Sequence, residues 1–176
     1  MNENNVILIG FMGAGKTTVG RRLSYRLKKT FLDLDRYIEN EEGRSIKQIF
    51  KEEGEVFFRN LETESLKKIM NESTSHVIST GGGLPLREEN RKLLKKMGTI
   101  VYLRVKAETV LSRIKHDVNR PLLQVENPEE KIIQLLKERD PIYLSVADII
   151  IDVDNKKFQS ILKELQIKLS KDGENN

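Results

Sequence analysis

Apolar positions change their period several times along the chain, and each change marks an element. Positions 6–9 (Val-Ile-Leu-Ile) form an unbroken apolar run that stops at Gly10, which suits a strand buried on both faces. Val19, Leu23 and Leu27 then return every fourth residue and mark one face of a helix. Positions 31–33, 76–80, 100–103 and 149–151 are further short runs read as strands, and the spacing of Phe158, Ile161, Leu162, Leu165 and Leu169 predicts a closing amphipathic helix. Residues 170–176 have nothing to bury and are expected to fray. Strand and helix alternate from end to end, so the fold class is α/β, with a parallel sheet between helical layers.

Several helix ends are legible. Ser45 and Gln48 have the spacing of a capping box, and Gly43 and Gly54 punctuate the same segment. Gly98 follows Leu93, Leu94 and Met97 as a stop, while Asn127-Pro128-Glu129 reads as an N-cap with proline in the first turn. Two stretches interrupt the alternation. One, at about 35–70, is helical with no strand; the other, at 115–127, is polar and broken by Pro121. Surface decoration is the ordinary reading of such insertions, and in a nucleotide-binding fold they are also where an acceptor subdomain and a lid sit.

Composition narrows the class. Charged residues make up 33% of the 176 positions, and the net charge is 31 − 27 = +4 with both signs interspersed. No run of five like charges appears, so a nucleic-acid arm is not expected. The longest apolar runs fall far short of the ~20 residues of a membrane span. Residues 1–5 are polar and carry an acid, which argues against a secretory leader, and without cysteine there is no disulfide or thiolate chemistry. A cytoplasmic single domain is the expectation.

The sharpest motif is Gly10-Phe11-Met12-Gly13-Ala14-Gly15-Lys16-Thr17, a match to G-x-x-x-x-G-K-[ST]. With glycine at 11 of 176 positions, chance yields such a match in roughly one chain per hundred, and here it lies between a strand and a helix. Glycines let successive N–H groups curl toward a phosphate, and the helix that follows adds its unpaired N–H groups and positive dipole end. Gly13, Ala14, Gly15, Lys16, Thr17 and Thr18 are therefore candidate ATP contacts, with Lys16 reaching the β- and γ-phosphates and Thr17 holding Mg²⁺. Two acids, Asp33 and Asp35, follow the second strand. Strand alternation would put both on one side, facing the cradle, for metal coordination or hydroxyl activation. Arg59 and Glu62 lie three apart on a helix, where the acid could hold the guanidinium for bidentate recognition of a carboxylate. Gly81, Gly82 and Gly83 follow the third strand, where α/β sheets bind ligands.

These motifs, with Ile49-Phe50, Gly54-Glu55, Phe58, Arg113, Arg120-Pro121-Leu122-Leu123 and Glu138-Arg139-Asp140-Pro141-Ile142-Tyr143, closely resemble the shikimate kinases over nearly the whole chain. The resemblance implies a nucleoside monophosphate kinase-like P-loop fold, with a five-stranded parallel sheet of order 2-3-1-4-5. It implies one kinase domain over 1–169, an acceptor-binding insertion at 35–70 and a lid at 113–126. It further implies transfer of the γ-phosphoryl of ATP to the 3-hydroxyl of shikimate by a monomer. Asp33 would belong to the magnesium site through water. Asp35 would bind the hydroxyls and serve as base, and Arg59, Arg139 and the backbone of Gly81, Gly82 and Gly83 would hold the acid. Phe50 and Phe58 would wall the ring, while Arg113 and Arg120 would meet the nucleotide phosphates, with Arg120 closing over them. Residues 152–157 match the adenine loop in position only. Ser145 stands where many members have an acid, a place expected to affect local packing. His76 and His116 are expected to be incidental. A gluconate or nucleoside monophosphate kinase would use related logic, and a non-catalytic P-loop module is a reading of a different class.

Overall fold

The computed structural model describes residues 5–72, 75–114 and 127–174. Five parallel strands, β1 (Asn5–Ile9), β2 (Thr30–Asp33), β3 (His76–Ser79), β4 (Gly98–Arg104) and β5 (Ile149–Asp152), form one sheet of order β2-β3-β1-β4-β5. The expected fold class and strand order are thus observed. The helices are α1 (Lys16–Leu27), α2 (Leu34–Glu42), α3 (Ile46–Glu52), α4 (Gly54–Met70), α5 (Glu88–Met97), α6 (Ala107–Ile114), α7 (Pro128–Val146) and α8 (Phe158–Glu174), with a short 3₁₀ turn at Leu84–Leu86.

Handedness sets the layers. The step from β1 to β2 runs toward one edge of the sheet, while those from β3 to β4 and from β4 to β5 run toward the other. Right-handed crossovers therefore put α1 on the face opposite α5 and α7. On its own face α1 packs with α8, and α5 and α7 cover β4. Ile7, Leu8, Ile9, Val77, Ile78, Ile100, Val101, Tyr102 and Leu103 are fully buried between these layers. The central strands accordingly read as continuous apolar runs instead of alternating ones.

Local signals account for most boundaries. The Ser45 capping box is formed in both directions, and the Asn127 side chain accepts the Glu130 N–H at 3.2 Å. Gly98 does more than stop α5. It opens β4, and a Cβ there would lie 2.1 Å from the Asn5 carbonyl oxygen. Asn5 itself is a buried polar residue, donating to the Met97 carbonyl and accepting from the His76 N–H, so β1 begins one residue earlier than its apolar run. The closing helix α8 runs from Phe158 to Glu174.

Candidate active site

At the carboxyl end of β1 the chain leaves the sheet through Gly10, at φ 140°, where a Cβ would lie 2.6 Å from the Leu103 carbonyl oxygen. A side chain is excluded by backbone, and this tight exit throws the loop over the strand end. The loop closes with Gly15 in the left-handed region, φ 92°, as the N-cap of α1 with no side chain of its own to occupy the helix terminus. The Lys16 ammonium is buried beneath the loop and donates to the Gly10 and Phe11 carbonyls at 2.8 and 2.9 Å. The Thr17 hydroxyl donates to Asp33 Oδ2 at 2.8 Å and lies 3.4 Å from the Ser79 hydroxyl. Register explains that meeting, since Asp33 and Ser79 are paired across β2 and β3. Arg113 on α6 donates to the Gly13 carbonyl at 2.8 Å. Ala14 stands back from the opening, buried, with its N–H on the Phe11 carbonyl.

Asp33 and Asp35 do not both belong to the strand. Asp33 ends β2 and caps α2, accepting the Arg36 N–H, so the chain turns helical at Leu34 and Asp35 sits in the first helical turn. The alternation expected from the sequence is therefore replaced by a cap. Both acids still line one cavity of about 270 Å³, together with Gly13, Gly15, Lys16, Thr17, Thr18, Gly81 and Gly82. Across it, Asp35 Oδ1 and Glu62 Oε1 are buried and without hydrogen-bond partners, and each would lie 3.0 Å from a Cβ on Gly81. Burial, reinforced by Asp33 and Glu39 against the pull of Lys16 and Arg59, raises the Asp35 carboxyl to about 6. Burial also lifts Glu62 to about 7, with Asp35 adding to the rise and Arg59 opposing it.

Two guanidinium groups flank this wall. Arg59 on α4 donates to Glu62 Oε2 at 2.7 Å and to Glu55 Oε1 at 3.0 and 3.2 Å. A Cβ on Gly83 would fall 2.3 Å from Arg59 Nη2, so the third glycine makes room for the guanidinium. Arg139 on α7 is buried, lies 5.7 Å over the Phe11 ring, and stands one helical turn before Tyr143. Phe50 and Phe58 pack on each other at 4.9 Å, with Phe58 buried. Arg120, His116 and most of the lid expected at 113–126 lie outside the described residues. At the expected adenine loop, Asp152 pairs with Arg104 and Lys156 with Glu164. Ser145 is on the surface with its hydroxyl returned to the Ile142 carbonyl, so an acid there would face solvent and would not pack locally.

A family model described as shikimate kinase matches residues 12–170. The chain belongs to the shikimate kinase family. It is 47% identical over 161 residues to a shikimate kinase of Chromobacterium violaceum, covering 92% of this chain and 87% of that one. Shikimate kinase from Acinetobacter baumannii, solved in complex with shikimate, superposes with a TM-score of 0.89 at 46% identity, covering 96% of this chain and 94% of the other. Shikimate kinase from Aquifex aeolicus superposes with a TM-score of 0.83 at 40% identity, over 96% and 98% of the two chains. Shikimate kinases are phosphotransferases with an alcohol acceptor, a division of labour that matches a phosphate cradle facing buried carboxylates.

Three contacts of this candidate site were not assigned from the sequence. Glu55 is a second acid on Arg59, and its i,i+4 spacing was a usable signal. Phe11 hid inside the glycine-rich motif, yet its ring lies under Arg139. Ser79, at the end of β3, reaches the Thr17 hydroxyl only through sheet register. The oxygen donors of Thr17 and Asp33 fit a magnesium ion, which uses few protein ligands and keeps waters and substrate phosphates for the rest.

Proposed function

We propose that this chain transfers the γ-phosphoryl group of ATP to the 3-hydroxyl of shikimate, with Mg²⁺ held by Thr17 and, through water, by Asp33. The observation that carries the reading is the shared cavity, walled on one side by the Gly13 to Thr18 cradle and on the other by Asp35, Gly81 and Gly82. The cradle N–H groups and Lys16 bind the β- and γ-phosphates; Lys16 exchanges its loop carbonyls for phosphate oxygens as they arrive. Arg59 and Arg139 take the ring carboxylate, and α2 to α4 serve as the acceptor-binding insertion of a single kinase domain. Glu62 keeps the Arg59 fork oriented, and Phe50 and Phe58 form the apolar wall behind it.

The acceptor hydroxyl hydrogen-bonds Asp35. As its oxygen bonds to the γ-phosphorus, the O–H proton passes to the Asp35 carboxylate and the bond to the β,γ-bridging oxygen breaks, leaving ADP. A carboxyl titrating near 6 is ionised at neutral pH and close enough to working pH to act as a base. Bound Mg²⁺ supplies neutralisation of charge on the transferring phosphates. Arg113 steadies the cradle through Gly13, and Arg120 supplies a second cation to the phosphates by its likeness to the family motif. Most of the rate comes from alignment and charge neutralisation, with no covalent enzyme intermediate.

Among the described residues no helix is long and apolar enough to cross a membrane. The enzyme is proposed to act as a cytoplasmic monomer without a nucleic-acid partner, which sizing by gel filtration and light scattering checks in part. A coupled ADP-release assay across shikimate, gluconate, AMP and CMP tests the acceptor. Preferential turnover of shikimate is expected, and preference for any other acceptor overturns the reading.

A further inference from the structure

We propose that Tyr143 is a positioning residue, whose buried hydroxyl ties the Arg139 guanidinium to the backbone of Gly82 and so sets where the acceptor carboxylate sits relative to the phosphate cradle. The inference rests on the preceding assignment of Arg139 to the acid. Tyr143 follows Arg139 by one helical turn of α7, so the two share a face. Its side chain is fully buried, and its hydroxyl lies 2.5 Å from the Gly82 carbonyl oxygen. Hydrogen-bond chemistry fixes the directions. A carbonyl only accepts, so the one phenolic proton goes to Gly82 and the lone pairs of the oxygen are left for a donor such as the Arg139 guanidinium on the same helix face. One corner of Arg139 is thereby held while its other N–H donors remain for a carboxylate.

Both ends of this link bear on the cavity. A Cβ on Gly82 would lie 3.3 Å from the Gly10 carbonyl oxygen and 3.6 Å from the Tyr143 hydroxyl, so this glycine is held between the cradle and α7. Arg139 lies over Phe11, which belongs to the cradle itself. The Tyr143 ring is held in turn by Tyr102, 5.0 Å away, whose hydroxyl donates to Asp140 at 2.7 Å. A rotation of Tyr143 would therefore release Gly82 and Arg139 together, and carboxylate recognition would lose its register with the phosphates.

Tyr143→Phe removes the hydroxyl and little volume, so the fold should survive. With a buried donor and acceptor left unpaired, KM for shikimate should rise about tenfold, while KM for ATP stays within about twofold and kcat within about threefold. Shikimate methyl ester separates positioning from mere structure. It lacks the charge that Arg139 recognises, so the variant should lose nothing further on it relative to the unmodified enzyme. Ile161→Val trims the buried face of α8, on the side of the sheet opposite α7, and should lower the melting temperature without changing the acid-to-ester ratio. If Tyr143→Phe does not fold, 3-fluorotyrosine placed at 143 keeps the hydroxyl but weakens it as an acceptor, and a KM increase of about two- to threefold confined to the acid is expected. An unchanged KM for shikimate, or an equal loss on acid and ester, overturns the inference. Absence of shikimate turnover in the unmodified enzyme instead overturns the functional reading beneath it.

Discussion

Asp35→Asn should make the protein more stable and nearly inactive. Asp35 Oδ1 is buried without a partner, and burial, with Asp33 next, lifts the carboxyl from 3.8 to about 6. At 1.36 kcal/mol per unit, the ionised form costs the native state about 3 kcal/mol relative to the unfolded chain. The sign follows from proton binding. The native state holds this proton more tightly, so the carboxyl costs nothing below 3.8, and stability is lost progressively as pH rises, with the full cost present above about 6. Asparagine is neutral throughout, so the variant carries no such cost at any pH. Allowing for water entering the open cavity, the variant should gain about 1–3 kcal/mol at pH 8, or about 2–4 °C in Tm per kcal/mol for a domain of this size. Urea midpoints at pH 8, 5 and 4 measure the gain, which should roughly halve near pH 5 and nearly vanish by pH 4. In parallel, kcat should fall by about 10²–10⁴ with loss of the base. A variant no more stable at pH 8, or a gain undiminished at pH 4, refutes the burial account. Undiminished kcat refutes the base.

Gly83 has φ −90°, which alanine adopts freely, so Gly83→Ala acts only through its Cβ, placed 2.3 Å from Arg59 Nη2. It should raise KM for shikimate by about 10- to 100-fold, or 1.4–2.8 kcal/mol, with KM for ATP unchanged in steady-state assays. Lys16→Met should cut kcat by about 10²–10³, measured by ADP release at saturating substrates. Gly20→Ala places a Cβ 2.6 Å from the Phe31 ring and 3.2 Å from Leu8, and overpacking should cost about 1–3 kcal/mol in urea denaturation while the acceptor KM holds. EDTA should abolish ADP release and added Mg²⁺ restore it, with Asp33→Asn requiring a higher concentration in a Mg²⁺ titration.

The phosphate cradle was legible because its chemistry is contiguous. Eight successive residues between a strand and a helix specify the curl, the lysine and the hydroxyl, and neighbouring φ/ψ values are enough to build it. Capping signals were equally local, as at Ser45 and Asn127. Asp35 shows where a local rule failed. Period two was carried past Asp33, whereas the Asp33 side chain captured the Arg36 N–H and turned the chain helical. The acid nonetheless reached the cavity, because the cap and the first turn of α2 both sit at the carboxyl end of the sheet.

Strand and helix alternation, the cradle and the helix ends were thus determined by the sequence alone, since each depends on residues within a turn or two of one another. Strand order came from likeness to a family, because periodicity says which residues are strands and nothing about which strands are neighbours. Only the tertiary structure decided that Tyr143 meets Gly82 across 61 positions, that Gly83 makes room for Arg59, and that Asp35 faces Glu62. Those meetings depend on the crossovers and on burial, which removes water from the carboxylates and shifts their titration. Neither exists until the layers close.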